Sequence, residues 1–434
     1  LLWAIAAHLM AIHWPFSLTR AKAGRTALVG GELDSALAKL DEQQSRRTHT
    51  QVPEDAFKVV KQAFERLVKR LRALDLPLNV TGVAPADPAL RYAAAIQPSP
   101  HPMAFGSNDD AQAALITAAQ RGAAAAKGKS SGAAAPVSSL VNAIDGVLEL
   151  ESSGQWPDDV EAIERMKTAF YVQIAEQLNK SNRGMQRAIA ARNCLEVFSE
   201  GYAFRFTVRV DRQVELLRNP RTSFVGSVSR AAARAMHGDA ITSESTAAVA
   251  ERLATARKLE QATMRRPLLH LHLHALHTRT DRTGGAFVMG PVVRLAKLWV
   301  SGHGLWSHLS EEAVELLVAC VFVHPQPYQA PRSAACGFMR FLRLVAQWDW
   351  ENEPLLVNLN DGFAPDAGSE VLKSFMESRD RGTSPHMFIV TPDDRDATGA
   401  WVPFWTDRSH PTEFALKRLV QLASDSLSLL ERLF

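Results

Sequence analysis

The sequence predicts an α+β protein, with a mixed-sheet domain over residues 49–265, a mainly helical domain over 266–434, and residues 1–48 closing a preceding helical domain. Three observations predict this. Runs rich in β-branched and aromatic residues, NVTGV, AIDGVLELE and NCLEVFSEGYAFRFTVRV, alternate with amphipathic stretches up to about residue 265. From Pro267 the sequence becomes mostly helical and carries Trp299, Trp306, Trp348, Trp350, Trp401 and Trp405, six of the nine tryptophans. A chain of 434 residues that is 46% hydrophobic and 22% charged is long enough for two or three domains, each burying its own core.

The first apolar run, LLWAIAAHLMAIHWPF, is interrupted by His8 and His13 and ends at Pro15. It is too short and too polar to span a bilayer, and it lacks the basic start and small-residue cleavage site of a signal peptide. From Glu54 to Leu74, Phe57, Val60, Phe64, Leu67, Leu71 and Leu74 recur at helical spacing, while Lys58, Lys61, Lys69, Arg70 and Arg72 fill much of the remaining surface. That pattern predicts an amphipathic basic helix. LPLNVTGV then predicts a strand, followed by a proline-punctuated loop through PADPALRY and QPSPHP.

Residues 119–139, AAQRGAAAAKGKSSGAAAPVS, have almost no large apolar side chains, so burial cannot offset the entropy cost of ordering them; they read as a flexible insertion within one domain. Ile144, Val147, Leu148 and Leu150 mark the next strand. The stretch WPDDVEAIERMKTAFYVQIAEQLNK predicts a helix capped by Asp158 or Asp159, with Ile163, Met166, Phe170 and Ile174 as its buried stripe. NCLEVFSEGYAFRFTVRV holds two β-rich runs split by Gly201, and SESTAAVAERLATARKLEQAT is a polar helical linker leading to a domain boundary near residue 265.

Cys194, Cys320 and Cys336 are widely spaced and odd in number, which excludes a disulfide framework or a CxxC metal knuckle and predicts a reducing, intracellular compartment. Net charge is only +3, so affinity for nucleic acid must come from local clusters of Lys and Arg.

Several blocks taken together resemble the nucleolar RNA-associated protein (Nrap) family of the small-subunit processome: LRALDLPLNVTGVAPADPALRY, LELESSGQWPDDVEAIERMKTAFY, GYAFRFTVRV, GPVVRLAKLWVSGHGLWSHLSEEAVELLVACVFVHPQPY, GFMRFLRLVAQWDWENEPLLVN and PHMFIVTPDD. They occur in family order over most of residues 50–425. The resemblance implies a degenerate nucleotidyltransferase-like domain followed by a helical domain like that of poly(A) polymerase and oligoadenylate synthetase, the second such pair of a longer protein. It further implies a non-catalytic scaffold in nucleolar ribosomal RNA processing and small-subunit biogenesis, contacting pre-ribosomal RNA and processome proteins, with a family link to transfer RNA export. No cofactor, small-molecule substrate or membrane is expected.

A working nucleotidyltransferase needs a Gly-Ser turn for the nucleotide phosphates, then paired acids on one strand face and a further carboxylate from a neighbouring strand, to hold two metal ions. FGSNDD at 105–110 offers Gly106, Ser107, Asp109 and Asp110, but adjacent carboxylates on a strand point to opposite faces. Glu149 and Glu151 do share a strand face, yet Ser152, Ser153 and Gly154 follow them, the reverse of the required order. The resemblance places Glu151 and the SGQWPDD turn at a family-typical position and implies a structural role there, a strand-to-helix turn with Trp156 in the core and Asp158 capping. HExxH and P-loop signatures are absent. A scaffold is therefore expected, and the alternative is an active, metal-dependent, template-independent nucleotidyltransferase using Glu149 and Glu151.

Candidate RNA contacts are Lys58, Lys61, Lys69 and Arg70 on the basic helix, the Arg183–Arg192 stretch, Arg205 and Arg209 on one strand face, and Arg294 and Lys297, three apart on the Trp299 helix. In PLLHLHLHALH, strict alternation over 269–274 alone predicts a strand with His270, His272 and His274 on a metal-binding face. A helix accounts for more of the segment: Pro267 suits a first turn, Leu269, Leu273 and Leu276 form one stripe, and His270, His274 and His277 share the other side. The segment reads as the entry helix of the second domain, its histidines at the surface or packed against the first domain, with no native metal site.

Overall fold

The computed structural model describes residues 54–96, 143–151, 156–180, 186–218, 246–282, 288–396 and 399–433, with positions 98, 101 and 104. The expectations for residues 1–48, for FGSNDD, for the insertion 119–139 and for Ser152 to Gly154 lie outside the described residues. The chain divides into two compact units, one holding Pro53–Leu90 and Gln97–Leu271, the other holding Arg91–Ile96 and His272–Phe434.

The first unit opens with α1 (Glu54–Arg72). Its apolar positions fall every third or fourth residue, and Phe57, Val60, Phe64, Leu67 and Leu71 are buried. The sheet is built from β1 (Val80–Pro85), β2 (Ile144–Leu150), β3 (Gln186–Ala190), β4 (Leu195–Ser199) and β5 (Tyr202–Val208), in the order β1-β2-β5-β4-β3. Only the β2–β5 pair is parallel. Side chains alternate across each strand, so Ile144, Leu148, Phe204, Phe206, Leu195 and Val197 share one face. That face packs with α1 and with α2 (Val160–Lys180) into one core, where Phe64 lies 5.9 Å from Phe204 and 6.1 Å from Phe206.

The cap of α2 is Asp159, whose carboxylate accepts the Ala162 amide at 2.9 Å. Asp158, expected as the alternative cap, instead pairs with Arg212 at 2.7 Å. Trp156 is half-buried, 6.2 Å from Phe170. The basic 183–192 stretch contains β3, a strand not anticipated: its pattern QRAIA is short and polar at one end. On this edge strand the Asn179 side-chain amide from α2 imitates a neighbouring strand, accepting from the Ala188 N–H at 2.8 Å and donating to its carbonyl at 2.9 Å. Strands β4 and β5 are joined by Glu200-Gly201, both with positive φ (53° and 87°), the two-residue turn whose twist matches a hairpin.

After α3 (Asp211–Arg218), the polar linker forms α4 (Thr246–Glu260), and a π turn at Gln261–Arg265 carries it directly into α5 (Arg266–Arg282). The histidine-rich segment is therefore helical, with Leu269, Leu273 and Leu276 buried. Pro267 does not start a new helix. It follows the π turn, where a widened coil absorbs the missing N–H and the ring's clash with the preceding turn.

The second unit is organised around α7 (Glu311–Val323), buried from Glu312 to Phe322 and apolar nearly all round, as a central helix must be. Ser310 caps it by accepting from Ala313 N–H at 3.1 Å. Against it lie α6 (Met289–Gly302) and α8 (Ala334–Gln347), and α10 (Glu413–Leu433) packs on α8. Within this mainly helical unit sits a βαβ element not anticipated: β6 (Leu355–Leu356) and β7 (Ile389–Val390) pair in parallel across α9 (Ala367–Asp380), around Val371, Phe375, Phe388 and Trp401. Its strands are two residues long, too short for periodicity to signal. Trp299, Trp350, Trp401 and Trp405 are buried, Trp348 is half-buried, and Trp306 is exposed.

A Cβ at Gly146 in β2 would lie 2.8 Å from the Phe206 ring and 3.2 Å from Phe64. Gly146→Ala is expected to cost about 1–3 kcal/mol by overpacking, read as a lower urea midpoint. At Gly368 an added methyl meets nothing within 4 Å, and Gly368→Ala should change stability by less than about 1 kcal/mol.

Candidate functional site

The face of the sheet opposite the Phe204–Phe206 core is where a nucleotidyltransferase of this topology would gather its acids. Here Asp145 and Glu149 project from β2 on that face, while Arg205 of β5 and Arg209 just beyond it project between them. In the parallel register Asp145 stands opposite Arg205, and in the next pairing Arg205 stands opposite Glu196 of β4. Arg205 donates to Glu196 at 3.0 Å. Arg209 donates to Glu149 at 3.3 Å and to Asp211 at 2.7 Å. Burial raises the Asp145 carboxyl above its ordinary range, against the opposing pull of Arg205 and Arg266.

The acids are thus interleaved with arginines, which hydrogen-bond Glu196 and Glu149. A guanidinium in this position both neutralises a carboxylate and repels a divalent cation. Glu151 lies just past the end of β2, exposed, and accepts from the Asn79 side chain at 3.3 Å, so Glu149 and Glu151 answer to different partners. Among the described residues no group of three or more His, Cys, Asp or Glu converges as a metal site.

On α1, Lys58, Lys69 and Arg70 are exposed and Lys61 is half-buried. Arg66 is not among the residues singled out from the sequence, although it sits one turn before Arg70; its guanidinium takes the Glu200 carboxylate through Nε at 2.9 and 2.8 Å and again through Nη2. Arg70 approaches the same carboxylate at 3.7 Å.

Arg294 and Lys297 require a correction. They share one side of α6, as their spacing predicts, but that side faces inward: Arg294 is 4% exposed and Lys297 fully buried. Arg294 donates to the Tyr92 carbonyl at 2.7 Å, and Tyr92 itself has a left-handed backbone, φ 63°. Lys297 Nζ lies 2.6 Å from both Glu311 and Glu315, and Arg91 clamps Glu315 through Nε at 2.7 Å and Nη2 at 2.9 Å. Solvation would favour these charges outside; their mutual pairing is what permits them inside. They present no charge to an RNA backbone.

The sequence leaves the histidines of α5 either at the surface or packed inside; His270 and His277 are buried, and His272 Nδ1 lies 3.0 Å from Asp393. Burial pushes His277 down to about 3, with Glu315 pulling the other way, so it is neutral at physiological pH.

A mixed sheet with two helices on one face and a charge-filled opposite face, followed by a helical unit, defines a nucleotidyltransferase-like domain paired with a poly(A) polymerase/oligoadenylate synthetase-like one. Residues 32–278 match the Nrap protein nucleotidyltransferase domain 4, and residues 286–434 match the Nrap protein PAP/OAS1-like domain 5. The chain belongs to the Nrap family. It is 31% identical over 431 residues to Nucleolar protein 6 of Homo sapiens (99% of this chain, 32% of that protein) and 32% identical over 391 residues to Nucleolar protein 6 of Xenopus laevis (89% and 30%). U3 small nucleolar RNA-associated protein 22 of Saccharomyces cerevisiae is 29% identical over 319 residues (70% and 20%). The chain spans about a third or less of the length of these relatives.

The buried charges make stability depend on pH. Burial alone would raise Glu315, but Arg91 and Lys297 override it and bring it from 4.5 to about 2. Both His277 and Glu315 have folded values below their unfolded ones, so each contributes stability that is complete above its unfolded value and is lost as pH falls through the folded one. Urea titrations should show stability falling below about pH 6.5 as His277 is forced to charge, and falling more steeply below 4.5 as Glu315 joins it, by up to about 1.4 kcal/mol per pH unit for each group. Glu315→Gln should remove the lower step and, by leaving Arg91 and Lys297 without their shared carboxylate, cost about 3–5 kcal/mol at neutral pH.

Proposed function

We propose that this chain is a non-catalytic part of a small-subunit processome protein, acting in the nucleolus in pre-ribosomal RNA processing by holding RNA and partner proteins. The observation that carries the reading is the seating of Arg205 and Arg209 among Asp145, Glu149 and Glu196, where nucleotidyl transfer needs carboxylates available to metal ions. The printed names of the relatives, nucleolar proteins and a U3 small nucleolar RNA-associated protein, support the compartment and the RNA. Among the described residues no helix is long and apolar enough to cross a membrane.

The RNA-facing surface in this reading is α1, where Lys58, Lys61, Lys69 and Arg70 line one helix that is anchored by its opposite, apolar stripe. Such a row neutralises successive phosphates and releases counterions, and it needs no base-specific chemistry. Arg205 and Arg209 are exposed or half-exposed but already ion-paired, so they contribute less.

Two measurements test the proposal. Incubation with labelled nucleotide, Mg²⁺ and an RNA primer should give no extension; extension that disappears in Glu149→Gln or Glu151→Gln would establish the enzyme instead. RNA binding should weaken with salt, and each of Lys58→Glu, Lys61→Glu and Lys69→Glu should lower the log–log salt slope by roughly 0.7–0.9. Lys297→Gln, being buried, should lower stability and leave that slope unchanged in the folded fraction.

A further inference from the structure

We propose that Arg66 and Arg70 form a phosphate-binding fork on α1, that Glu200 occupies it within the folded chain, and that a backbone phosphate of RNA displaces Glu200. The inference rests on the RNA-binding reading of α1 above and adds to it a specific anion site and a built-in competitor.

The geometry is that of an anion clamp. Two guanidinium groups one helical turn apart converge on a single carboxylate, Arg66 engaging both of its oxygens and Arg70 standing 3.7 Å from one of them. Guanidinium forks take carboxylate and phosphate in the same planar, two-point manner, so what holds Glu200 will hold a phosphodiester.

The hairpin by itself does not call for a glutamate. Glu200 is the first residue of the two-residue β4–β5 turn, at φ 53°, where Asn, Asp or Gly is the favoured choice. A longer side chain at a left-handed position carries a backbone cost, and here its carboxylate spans 134 residues of sequence to reach the arginines. The residue is explained by its side chain's destination, not by the turn.

The lock is also weak enough to open. The Arg66 and Arg70 side chains are 49% and 47% exposed and that of Glu200 28%, so the pairs are solvated, screened by salt, and readily exchanged for another anion. Lys69 next to the fork and Lys58 three turns before it extend the positive row along the helix, which a lone inorganic anion would not use but a polyanion would. With Glu200 in place, the helix offers RNA fewer available cations than its sequence counts.

The test uses the whole chain, with fluorescence anisotropy of a labelled oligouridylate and of a short RNA duplex from low to physiological salt. Glu200→Gln should tighten binding about threefold to fivefold and steepen the log–log salt slope by roughly 0.7–0.9, one phosphate contact. Adding Arg66→Gln to Glu200→Gln should cancel the gain. Glu65→Gln removes an equal charge from the same helix near Arg66 and should leave the slope unchanged. Equal gains from Glu65→Gln and Glu200→Gln would reduce the effect to net charge and overturn the fork. Unchanged binding in Glu200→Gln would overturn it while leaving RNA binding by α1 in place, whereas no RNA binding by any of these proteins would overturn both readings. Capture of a phosphoserine peptide by Glu200→Gln without RNA binding would assign the fork to a phosphoprotein instead.

Discussion

Parallel pairing of β2 with β5, with Ile144 against Phe204 and Leu148 against Val208, decides which side chains of the first unit enter the core and which meet on the opposite face. A slip of one residue would exchange the two sets, burying Asp145 and Glu149 against Phe64 and exposing Ile144 and Leu148. The cost of burying those carboxylates makes the observed register the stable one. The charge pattern of the outer face follows from it: Asp145 meets Arg205, Arg205 meets Glu196, and Arg209 reaches back to Glu149. The nucleotidyltransferase-like sheet is retained, and on this face arginines pair with Glu149 and Glu196.

The helical unit solves a different electrostatic problem. Glu315 is buried on a helix that is otherwise apolar, and it survives there because Arg91 and Lys297 both reach it, with Glu311 sharing the ammonium. Removing two charges from water costs several kcal/mol per ion, which only near-ideal geometry and full hydrogen bonding repay. Arg91, Tyr92 and Arg294 then follow as one arrangement: the arginine on α6 holds the Tyr92 carbonyl, and the left-handed turn at Tyr92 accompanies the placing of Arg91 against α7. The segment 91–96 is thereby part of the helical unit although its sequence neighbours on either side are not.

Much of the architecture was legible from periodicity. The α1 stripe, the strands at 80–85, 144–150, 195–199 and 202–208, and the helical reading of the histidine segment all correspond to observed elements. What periodicity reports is the spacing of apolar residues, so it failed where an element is very short, as in the paired two-residue strands, or where an edge strand is half polar, as in Gln186–Ala190. The candidate site was legible only in part. Lys58, Lys61, Lys69 and Arg70 lie toward solvent because a basic residue beside an apolar stripe does so by default. Arg294 and Lys297 follow the opposite course, and nothing within α6 distinguishes them from surface cations, since their partners lie on α7 and at Arg91 and Tyr92.

By itself, then, the sequence determined the fold class, the family and the amphipathic elements, since hydrophobic spacing and local propensity act over a few residues and can be read in order along the chain. Only the tertiary structure decided which charges are available. Arg66 and Arg70 are engaged by Glu200, Arg205 by Glu196 and Arg209 by Glu149 within the sheet-bearing unit, and Lys297 by Glu315 within the helical one. The reason is physical: whether a cation faces water, a carboxylate or a phosphate depends on the dielectric and on partners brought together from distant parts of the chain, and neither is encoded at the cation's own position.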